Sequence, residues 1–158
     1  MAEETSVKML KKDHKKVEEL FNQFRQINPS DTEERKDLIE KITNELEIHA
    51  QLEEQMFYPL VEDISEEGRT LIAQSRNEHD EMKGIINKLK AMDAMNQIDD
   101  SRLSELETIV MNHVSREEGQ VFPFAQQQAS DKLGMGFAAK MLALKEKMRA
   151  VRMKEKIF

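Results

Sequence analysis

The sequence predicts an all-α protein: an up-down-up-down four-helix bundle with an additional C-terminal amphipathic helix. Three observations lead to this fold class. The 158 residues are rich in Glu, Lys, Met, Leu and Ala, which favour helix, and contain only three prolines and five glycines. Four segments carry apolar residues at alternating steps of three and four, the pattern of a helix with one buried face. The connections between these segments are short, which favours antiparallel neighbours.

The first two helices are delimited by capping residues and prolines. The first helix is expected to begin with Ser6 as its N-cap and to end near Pro29, because proline disfavours helix in the residue before it. Its buried face consists of Val7, Leu10, His14, Val17, Phe21 and Phe24. Ser30 or Asp31 is expected to cap the second helix, and Pro59 to kink or fray its end. The second buried face consists of Ile39, Ile42, Leu46, His49, Glu53, Met56 and Leu60.

The third and fourth helices follow the same design. Gly68 is expected in the break before the third helix, and a polar loop around residues 96–101 separates the third helix from the fourth. The third buried face consists of Ile72, Ser75, His79, Met82, Ile86 and Leu89. The fourth consists of Leu103, Leu106, Val110, His113, Glu117 and Val121. Pro123 is expected to close the fourth helix.

The charge distribution sets the C-terminal segment apart. Residues 1–130 carry a net charge of −12 and residues 131–158 a net charge of +5, so we expect a bundle domain followed by a basic amphipathic helix. The apolar stripe of that helix consists of Phe137, Met141, Leu144, Met148, Val151 and Phe158. An apolar stripe favours docking on its own bundle or on a second copy in a homodimer. Binding to a partner protein or to an anionic membrane surface are the alternatives.

Composition also excludes several classes of function. The net charge of −7 argues against general nucleic-acid binding, and no apolar run approaches the roughly 18 residues of a membrane span. The absence of cysteine excludes thiolate metal sites and thiol catalysis. Together with an acidic N-terminus that lacks an apolar signal core, it favours a cytoplasmic location.

All four histidines belong to one internal repeat. The stretches HAQLEEQMFYP, starting at His49, and HVSREEGQVFP, starting at His113, each contain a histidine, a glutamate four residues later, a second glutamate, an aromatic residue and a proline. His14 and His79 lie 35 and 34 residues upstream of these stretches. Since 64 residues separate the two motif histidines and 65 separate the two lone histidines, each repeat looks like half of a site.

The repeat predicts a site for two metal ions. Its four histidines and its glutamates Glu53 and Glu117 lie on buried helix faces that carry no Lys or Arg. A buried carboxylate without a partner costs on the order of several kcal/mol, and a pair of cations would offset that cost. Residues four apart share a helix face, and imidazole with carboxylate suits iron, manganese or zinc. The predicted ligands are His14, His49, Glu53, His79, His113 and Glu117. The alternative is a metal-free polar core that serves interactions.

This ligand pattern resembles that of the hemerythrin-like HHE cation-binding domain. The motifs HAQLE and HVSRE, each preceded by a lone histidine, are similar to its H…HxxxE…H…HxxxE pattern over about residues 6–125. The resemblance implies a di-iron centre with an oxo or hydroxo bridge, in which Glu53 and Glu117 bridge the two iron ions. It also implies one histidine pair for each iron: His14 with His49, and His79 with His113.

The sequence differs from the oxygen-carrying hemerythrins in two places. Those proteins have a fifth histidine one turn before the position of His79, where this chain has Ser75. Their last motif spaces histidine and aspartate by five residues, whereas His113 and Glu117 are four apart. We therefore expect the iron next to Ser75 to remain open to solvent or to an exogenous ligand, and to react with peroxide or nitric oxide rather than store dioxygen.

Residues that flank the motifs are expected to contribute less. Tyr58 is expected to be an interfacial aromatic rather than a hydrogen-bond donor near the metals. Glu54 and Glu118 are expected to be solvated or to contact the ligands from outside. Three acidic residues adjoin the lone histidines: Asp13, Glu78 and Asp80. Adjacent residues of a helix face apart, so we do not expect these three to orient the imidazoles.

Two functions follow from this site. The first is a di-iron protein that binds or senses dioxygen, nitric oxide, peroxide or iron. The second is a di-iron enzyme that decomposes hydrogen peroxide or assists the repair of iron–sulfur clusters. No catalytic acid or base stands out beyond the ligands, so the sequence favours the first.

Overall fold

The chain consists of helices joined by short loops in the region described by a computed structural model, residues 5–97 and 99–157 with side chains up to residue 154. The α-helices are α1 (Thr5–Gln26), α2 (Thr32–Leu52), α3 (Tyr58–Glu62), α4 (Glu66–Ala94), α5 (Asp100–Arg116), α6 (Phe122–Ala129) and α7 (Met135–Ile157). Two π-helical turns, Glu53–Phe57 and Glu117–Val121, join α2 to α3 and α5 to α6. These residues contain no strand, and none of their helices is both long and apolar enough to cross a membrane.

The helices form the predicted bundle. α2 and α3 make one long helix, as do α5 and α6, and these two pack with α1 and α4. α1 packs against α2, α4 packs against α5, and α3 packs against α4. α7 then lies along α1 and α2. The predicted all-α bundle with an additional C-terminal helix is confirmed.

The capping predictions have mixed outcomes. Asp31 is the N-cap of α2, as predicted, and its carboxylate accepts a hydrogen bond of 3.2 Å from the Glu34 amide. α1 ends at Gln26, shortly before the proline that was expected to stop it. The prediction that Ser6 caps α1 is wrong. Ser6 lies inside the helix, where its hydroxyl donates to the Leu133 carbonyl and ties α1 to the segment before α7.

Gly68 was expected in a break before the third long helix, and this expectation is wrong. It lies in the first turn of α4. The helix begins after Ser65, whose hydroxyl oxygen accepts a hydrogen bond of 3.2 Å from the Gly68 amide. A Cβ atom at this position would collide with the Val61 carbonyl oxygen and would lie 3.3 Å from the Phe124 ring. Gly68 is therefore required for the close approach of α4 to α3 and α6.

Both long helices widen into a π turn at the motif glutamate. The amide five residues later donates to the glutamate carbonyl, Tyr58 to Glu53 and Phe122 to Glu117. Each turn inserts one residue relative to a regular α-helix and shifts the buried face that follows. Such turns are rare in proteins, and those that occur often lie at functional sites.

Each π turn is followed by a proline, and the helix continues beyond it. Proline lacks an amide hydrogen and its ring crowds the preceding turn, so a widened backbone accommodates it. The expectation that Pro123 closes the fourth helix is wrong, because the helix continues to Ala129. Pro59 was expected to kink or fray the second helix, and it does not fray it, because the helix continues to Glu62. The shift also corrects the second predicted face. Met56 and Leu60 are only half-buried, and the buried positions are Leu52, Phe57, Tyr58 and Val61.

The core consists of two apolar clusters, one on each side of the histidine layer. One cluster lies towards the loop between α1 and α2, and it includes Val17, Leu46, Met82 and Val110. The other lies towards the π turns, and it includes Leu10, Leu52, Phe57, Ile72 and Val121. The histidines and glutamates are thus enclosed between two dry layers.

The C-terminal helix covers its own bundle with part of its apolar stripe. Met141 is fully buried, and its stripe neighbours Phe137, Leu144 and Met148 pack against the π-turn cluster. Leu142, Val151 and Met153 remain exposed, and the last stripe residue, Phe158, lies outside the described residues. Association with a second copy or a partner through α7 stays a prediction, as does the domain boundary at residue 130.

Candidate metal centre

The six predicted ligands are all buried and meet in the middle of the bundle. They form two groups of four residues, and within each group the ligand atoms all lie within 4.8 Å of one another. The first group is His14, His49, Glu53 and Glu117, and the second is His79, His113, Glu53 and Glu117. Each histidine pair predicted for one metal therefore belongs to one group, and both glutamates belong to both.

Glu53 lies between one histidine of each group. Its Oε1 atom is 3.2 Å from His49 Nε2 and 3.2 Å from His79 Nε2. His49 Nε2 and Glu53 Oε2 are buried and have no hydrogen-bond partner, although His49 Nε2 lies close to the other oxygen of Glu53. Buried polar atoms without partners are uncommon in folded proteins. A cation bound between these side chains would engage both atoms.

Glu117 makes the corresponding contacts with the other two histidines. Its Oε1 atom is 3.1 Å from His14 Nε2, and its Oε2 atom is 3.3 Å from His113 Nε2. One oxygen thus faces each histidine pair. This is the arrangement that a carboxylate bridging two cations requires.

Each imidazole is held from outside by a carboxylate on a different segment. The Nδ1 contacts are His14 with Glu118 at 2.8 Å, His49 with Asp13 at 2.9 Å, His79 with Glu54 at 3.3 Å, and His113 with Glu78 at 2.6 Å. All four contacts obey the internal repeat. A carboxylate on Nδ1 sets the tautomer and the ring orientation and leaves Nε2 free for a metal.

Two of these carboxylates were expected to play no part. Asp13 and Glu78 each precede a lone histidine and face away from it, as expected. Each contacts a motif histidine on a neighbouring helix instead, Asp13 with His49 and Glu78 with His113. The expectation was wrong because it considered only the histidine next in sequence. Asp80 is exposed, as expected, and Glu54 and Glu118 contact the ligands from outside, which was one of their two predicted roles.

The electrostatics show how strongly the carboxylates act on the imidazoles. Burial lowers the pKa of His49, but Glu53 and Asp13 outweigh it and raise that pKa to about 10. Burial likewise lowers the pKa of His113, whereas Glu117 and other carboxylates raise it to about 12. Without a cation, protons on His49 and His113 therefore balance part of the buried negative charge. Metal ions would replace those protons.

Tyr58 contacts the centre directly, so the expectation that it is an interfacial aromatic is wrong. It is fully buried, and its hydroxyl donates to Glu117 Oε2 at 2.7 Å and lies 3.0 Å from His79 Nε2. In a regular α-helix, residues five apart point about 140° away from each other. The π turn that starts at Glu53 brings Tyr58 to the same interior face. The proline that follows each motif was the signal in the sequence.

Ser75 is buried, and its hydrogen bonds involve residues other than the six ligands. Its hydroxyl donates to the Leu71 carbonyl at 3.3 Å and accepts a hydrogen bond from Arg116. Burial, Glu53 and Glu117 raise the pKa of the Tyr58 hydroxyl well above its usual range, and a hydrogen bond with Ser75 lowers it. The side of the centre that was expected to be open next to Ser75 therefore carries the Tyr58 hydroxyl.

The two halves of the centre differ in polarity. At the positions in the other repeat that correspond to Ser75, Tyr58 and Arg116, the chain has three fully buried apolar residues: Leu10, Phe122 and Leu52. Phe122 stacks on the His14 ring at 5.7 Å between centroids. At these three positions, therefore, the half with His79 and His113 has polar side chains and the half with His14 and His49 has apolar ones.

A small cavity touches all four histidines on the side away from Tyr58. Its volume is about 20 Å³, and its other walls are mainly Val17, Leu46, Ala50, Met82, Val110 and Val114. This volume is sufficient for one water-sized molecule. A surface groove of about 240 Å³ between α2 and α4 shares the wall formed by Leu46, Ala50, His79 and Met82.

A four-helix bundle that encloses this set of histidines and glutamates is typical of metal-binding proteins with carboxylate-bridged centres. The family model for the hemerythrin HHE cation binding domain matches residues 5–125, and the chain belongs to this family. The predicted resemblance is thereby confirmed. The chain therefore carries a domain whose family binds metal cations, usually iron.

Two curated proteins are similar to the chain. A DNA nickase of Nostoc sp. is 30% identical over 141 residues, which cover 89% of this chain and 39% of the nickase. An uncharacterised hemerythrin-like protein of Schizosaccharomyces pombe is 28% identical over 129 residues, 81% of this chain and 63% of that protein. The chain thus spans less than two thirds of the length of either relative. No solved structure matches it.

Proposed function

We propose that the chain binds two iron ions and presents them to a small exogenous ligand. In this proposal His14 and His49 hold one iron, His79 and His113 hold the other, and Glu53 and Glu117 bridge them. The observation that carries it is the pair of four-residue groups that share both glutamates. The buried and unpartnered Glu53 Oε2 and His49 Nε2 atoms support the same assignment.

The chain positions and shields the site. The carboxylates on Nδ1 orient the imidazoles, and the two apolar clusters exclude water from either side of the layer. Bound iron would supply redox chemistry and a coordination position for the ligand. The protein's contribution is the fixed donor set and the dry surroundings.

The cavity supports a small and weakly polar ligand. Apart from the histidines and Asp13, its walls are aliphatic or Met side chains, and its volume of about 20 Å³ suits a single small molecule. Dioxygen, nitric oxide and hydrogen peroxide fall in this size class. The groove between α2 and α4 supports access from solvent on the Ala50 side.

The decisive experiment is metal analysis of anaerobically reconstituted protein, followed by optical spectra with dioxygen, nitric oxide and peroxide. We expect two iron ions per chain and a spectral change on addition of nitric oxide or peroxide. Asp80→Ala is the matched control, because it removes an exposed carboxylate next to His79 without touching the centre. One metal or none per chain would overturn the proposal, and unchanged spectra would overturn its small-ligand part.

Peroxide decomposition is a second candidate, favoured by Tyr58. Its hydroxyl is a buried donor beside the centre, and burial with the two glutamates raises its pKa, so it keeps its proton at neutral pH. Such a group could deliver a hydrogen bond or a proton to a ligand at the site. Peroxide consumption by the iron-loaded protein tests this candidate, and a Tyr58→Phe variant with undiminished turnover would contradict it.

Similarity to a DNA nickase raises DNA cleavage as a further activity, but the charges argue against it. The net charge is −7, and Arg149 and Arg152 of α7 are paired with Glu45 and Glu47 of α2. Binding to nucleic acid depends on unpaired basic surface. Incubation of the iron-loaded protein with supercoiled plasmid tests this prediction, and nicking would contradict it.

A further inference from the structure

The C-terminal helix reaches the candidate metal centre through one lysine. Lys145 of α7 forms an ion pair with Asp13 Oδ1, and the other oxygen of that carboxylate lies 2.9 Å from His49 Nδ1. Asp13 is buried and Lys145 is largely buried, with side chains that are 5% and 11% exposed. A continuous chain of contacts therefore runs from α7 to an imidazole of the centre.

The other repeat contains the same arrangement without α7. Glu78 accepts a hydrogen bond of 2.6 Å from His113 Nδ1, and its carboxylate is paired with Arg116 Nε at 3.0 Å. The Arg116 side chain is 10% exposed, close to the value for Lys145. Each motif histidine thus has a carboxylate on Nδ1 that is backed by a largely buried cation. In one half the bundle supplies that cation, and in the other half it comes from beyond residue 125, where the family match ends.

The cation has a definite physical role in each half. A buried carboxylate with only an imidazole as partner is poorly compensated and can rotate or draw in water. A second partner on the opposite oxygen holds the carboxylate in one orientation, and this in turn holds the imidazole ring. In the Lys145 half, the restrained atom is His49 Nε2, one of the two atoms of the candidate centre that lack a hydrogen bond.

We infer that Lys145 is a positioning residue of the metal centre and that α7 completes the half formed by His14 and His49. This inference rests on the proposed function, since it concerns how that centre is held. Lys145 touches no ligand directly and acts through Asp13. Removal of Lys145 should weaken one metal site and leave the other unchanged.

Metal titration tests the inference, with Co²⁺ as the spectroscopic probe and the full chain as the protein. For Lys145→Met we expect one of the two affinities to fall by up to about 10-fold, the lower end of the range for loss of a direct contact to a metal ligand, because Lys145 acts through Asp13. Lys145→Arg keeps the positive charge and should bind both metal ions with affinities close to those of the wild type. Lys140→Met, which removes an exposed cation from the same helix, should bind like the wild type. Arg116→Met should weaken the other affinity.

A double variant separates positioning from folding. Asp13→Asn removes the carboxylate charge, so on that background Lys145→Met should have little further effect on metal affinity. Additive losses, or equal weakening of both sites together with loss of helix in far-UV circular dichroism, would overturn the inference in favour of a structural role. Wild-type affinities in Lys145→Met would overturn it as well. If the wild type itself binds fewer than two Co²⁺ ions, the proposed function fails first.

Discussion

Replacing Tyr58 with phenylalanine removes one buried hydroxyl at the centre of the bundle, whose shortest hydrogen bond is to Glu117 and which also contacts His79 and Glu53. The change deletes one oxygen atom that donates to Glu117 Oε2 at 2.7 Å in a fully buried setting. The ring itself should remain in place, because the other repeat has a buried phenylalanine, Phe122, at the corresponding position. The loss therefore measures the hydrogen bonding of this hydroxyl rather than packing.

The expected magnitude follows from the charge of the acceptor. A hydrogen bond to a charged group contributes about 1.5–3 kcal/mol, more than a neutral pair does, and the carboxylate here has no solvent to replace the lost donor. We therefore expect the free energy of unfolding of the metal-free Tyr58→Phe variant to fall by about 1.5–3 kcal/mol. For a chain of this size that corresponds to a midpoint lowered by about 3–12 °C.

The assay is urea unfolding of chelator-treated protein, followed by far-UV circular dichroism and extrapolated linearly to water. Tyr58→Leu is the companion variant. It removes the ring as well as the hydroxyl, so it should destabilise the bundle more than Tyr58→Phe does. If Tyr58→Phe unfolds within about 0.5 kcal/mol of the wild type, the hydroxyl does not contribute a charged hydrogen bond, and the reasoning fails.

Four further predictions concern metal and ligand. Glu53→Ala should lower occupancy at both metals and His14→Ala at one, as measured by elemental analysis; equal losses would contradict bridging by Glu53. Chelation should lower the thermal midpoint while much of the helix signal persists, because buried carboxylates then face one another; identical midpoints would contradict this. The carboxylates raise the pKa of His49 to about 10 and that of His113 to about 12. Metal binding should therefore release protons, and the metal affinity should increase as the pH rises towards those values. Calorimetric heats of metal binding that are equal in buffers of different ionisation enthalpy would contradict this. Ala50→Met should fill the cavity and weaken nitric oxide or azide binding with metal retained, whereas Gln55→Met, an exposed change that lines neither the cavity nor the groove, should not; equal effects would refute the cavity's role.

The sequence by itself determined the fold class and the buried faces of the bundle. Apolar residues at steps of three and four form one face of a helix, and this face is removed from water by packing against the apolar faces of other helices. The same reasoning predicted that the four histidines and two glutamates lie inside, and all six are buried. The spacing of each motif indicated that His49 acts with Glu53 and His113 with Glu117. The pairing of His14 with His49 and of His79 with His113 came from the resemblance to the HHE domain, and the two groups of ligand atoms contain these same pairs.

The sequence did not reveal how the backbone departs from regular helix. Periodicity assumes a constant turn, and the π turn after Glu53 changes the rotation of every residue that follows it. Tyr58 was therefore placed on the wrong face, and Met56 was predicted to be more buried than it is. Only the proline after each motif hinted at the change, and proline more often ends a helix than widens one.

Contacts between helices were decided by the tertiary structure alone. Asp13 supports His49 across 36 residues, and Lys145 reaches Asp13 across 132. Neither partner shares a turn or a motif with the other, so no local pattern connects them. Local periodicity determines which side of a helix is buried, whereas the relative position and rotation of packed helices determine which charged side chains meet there.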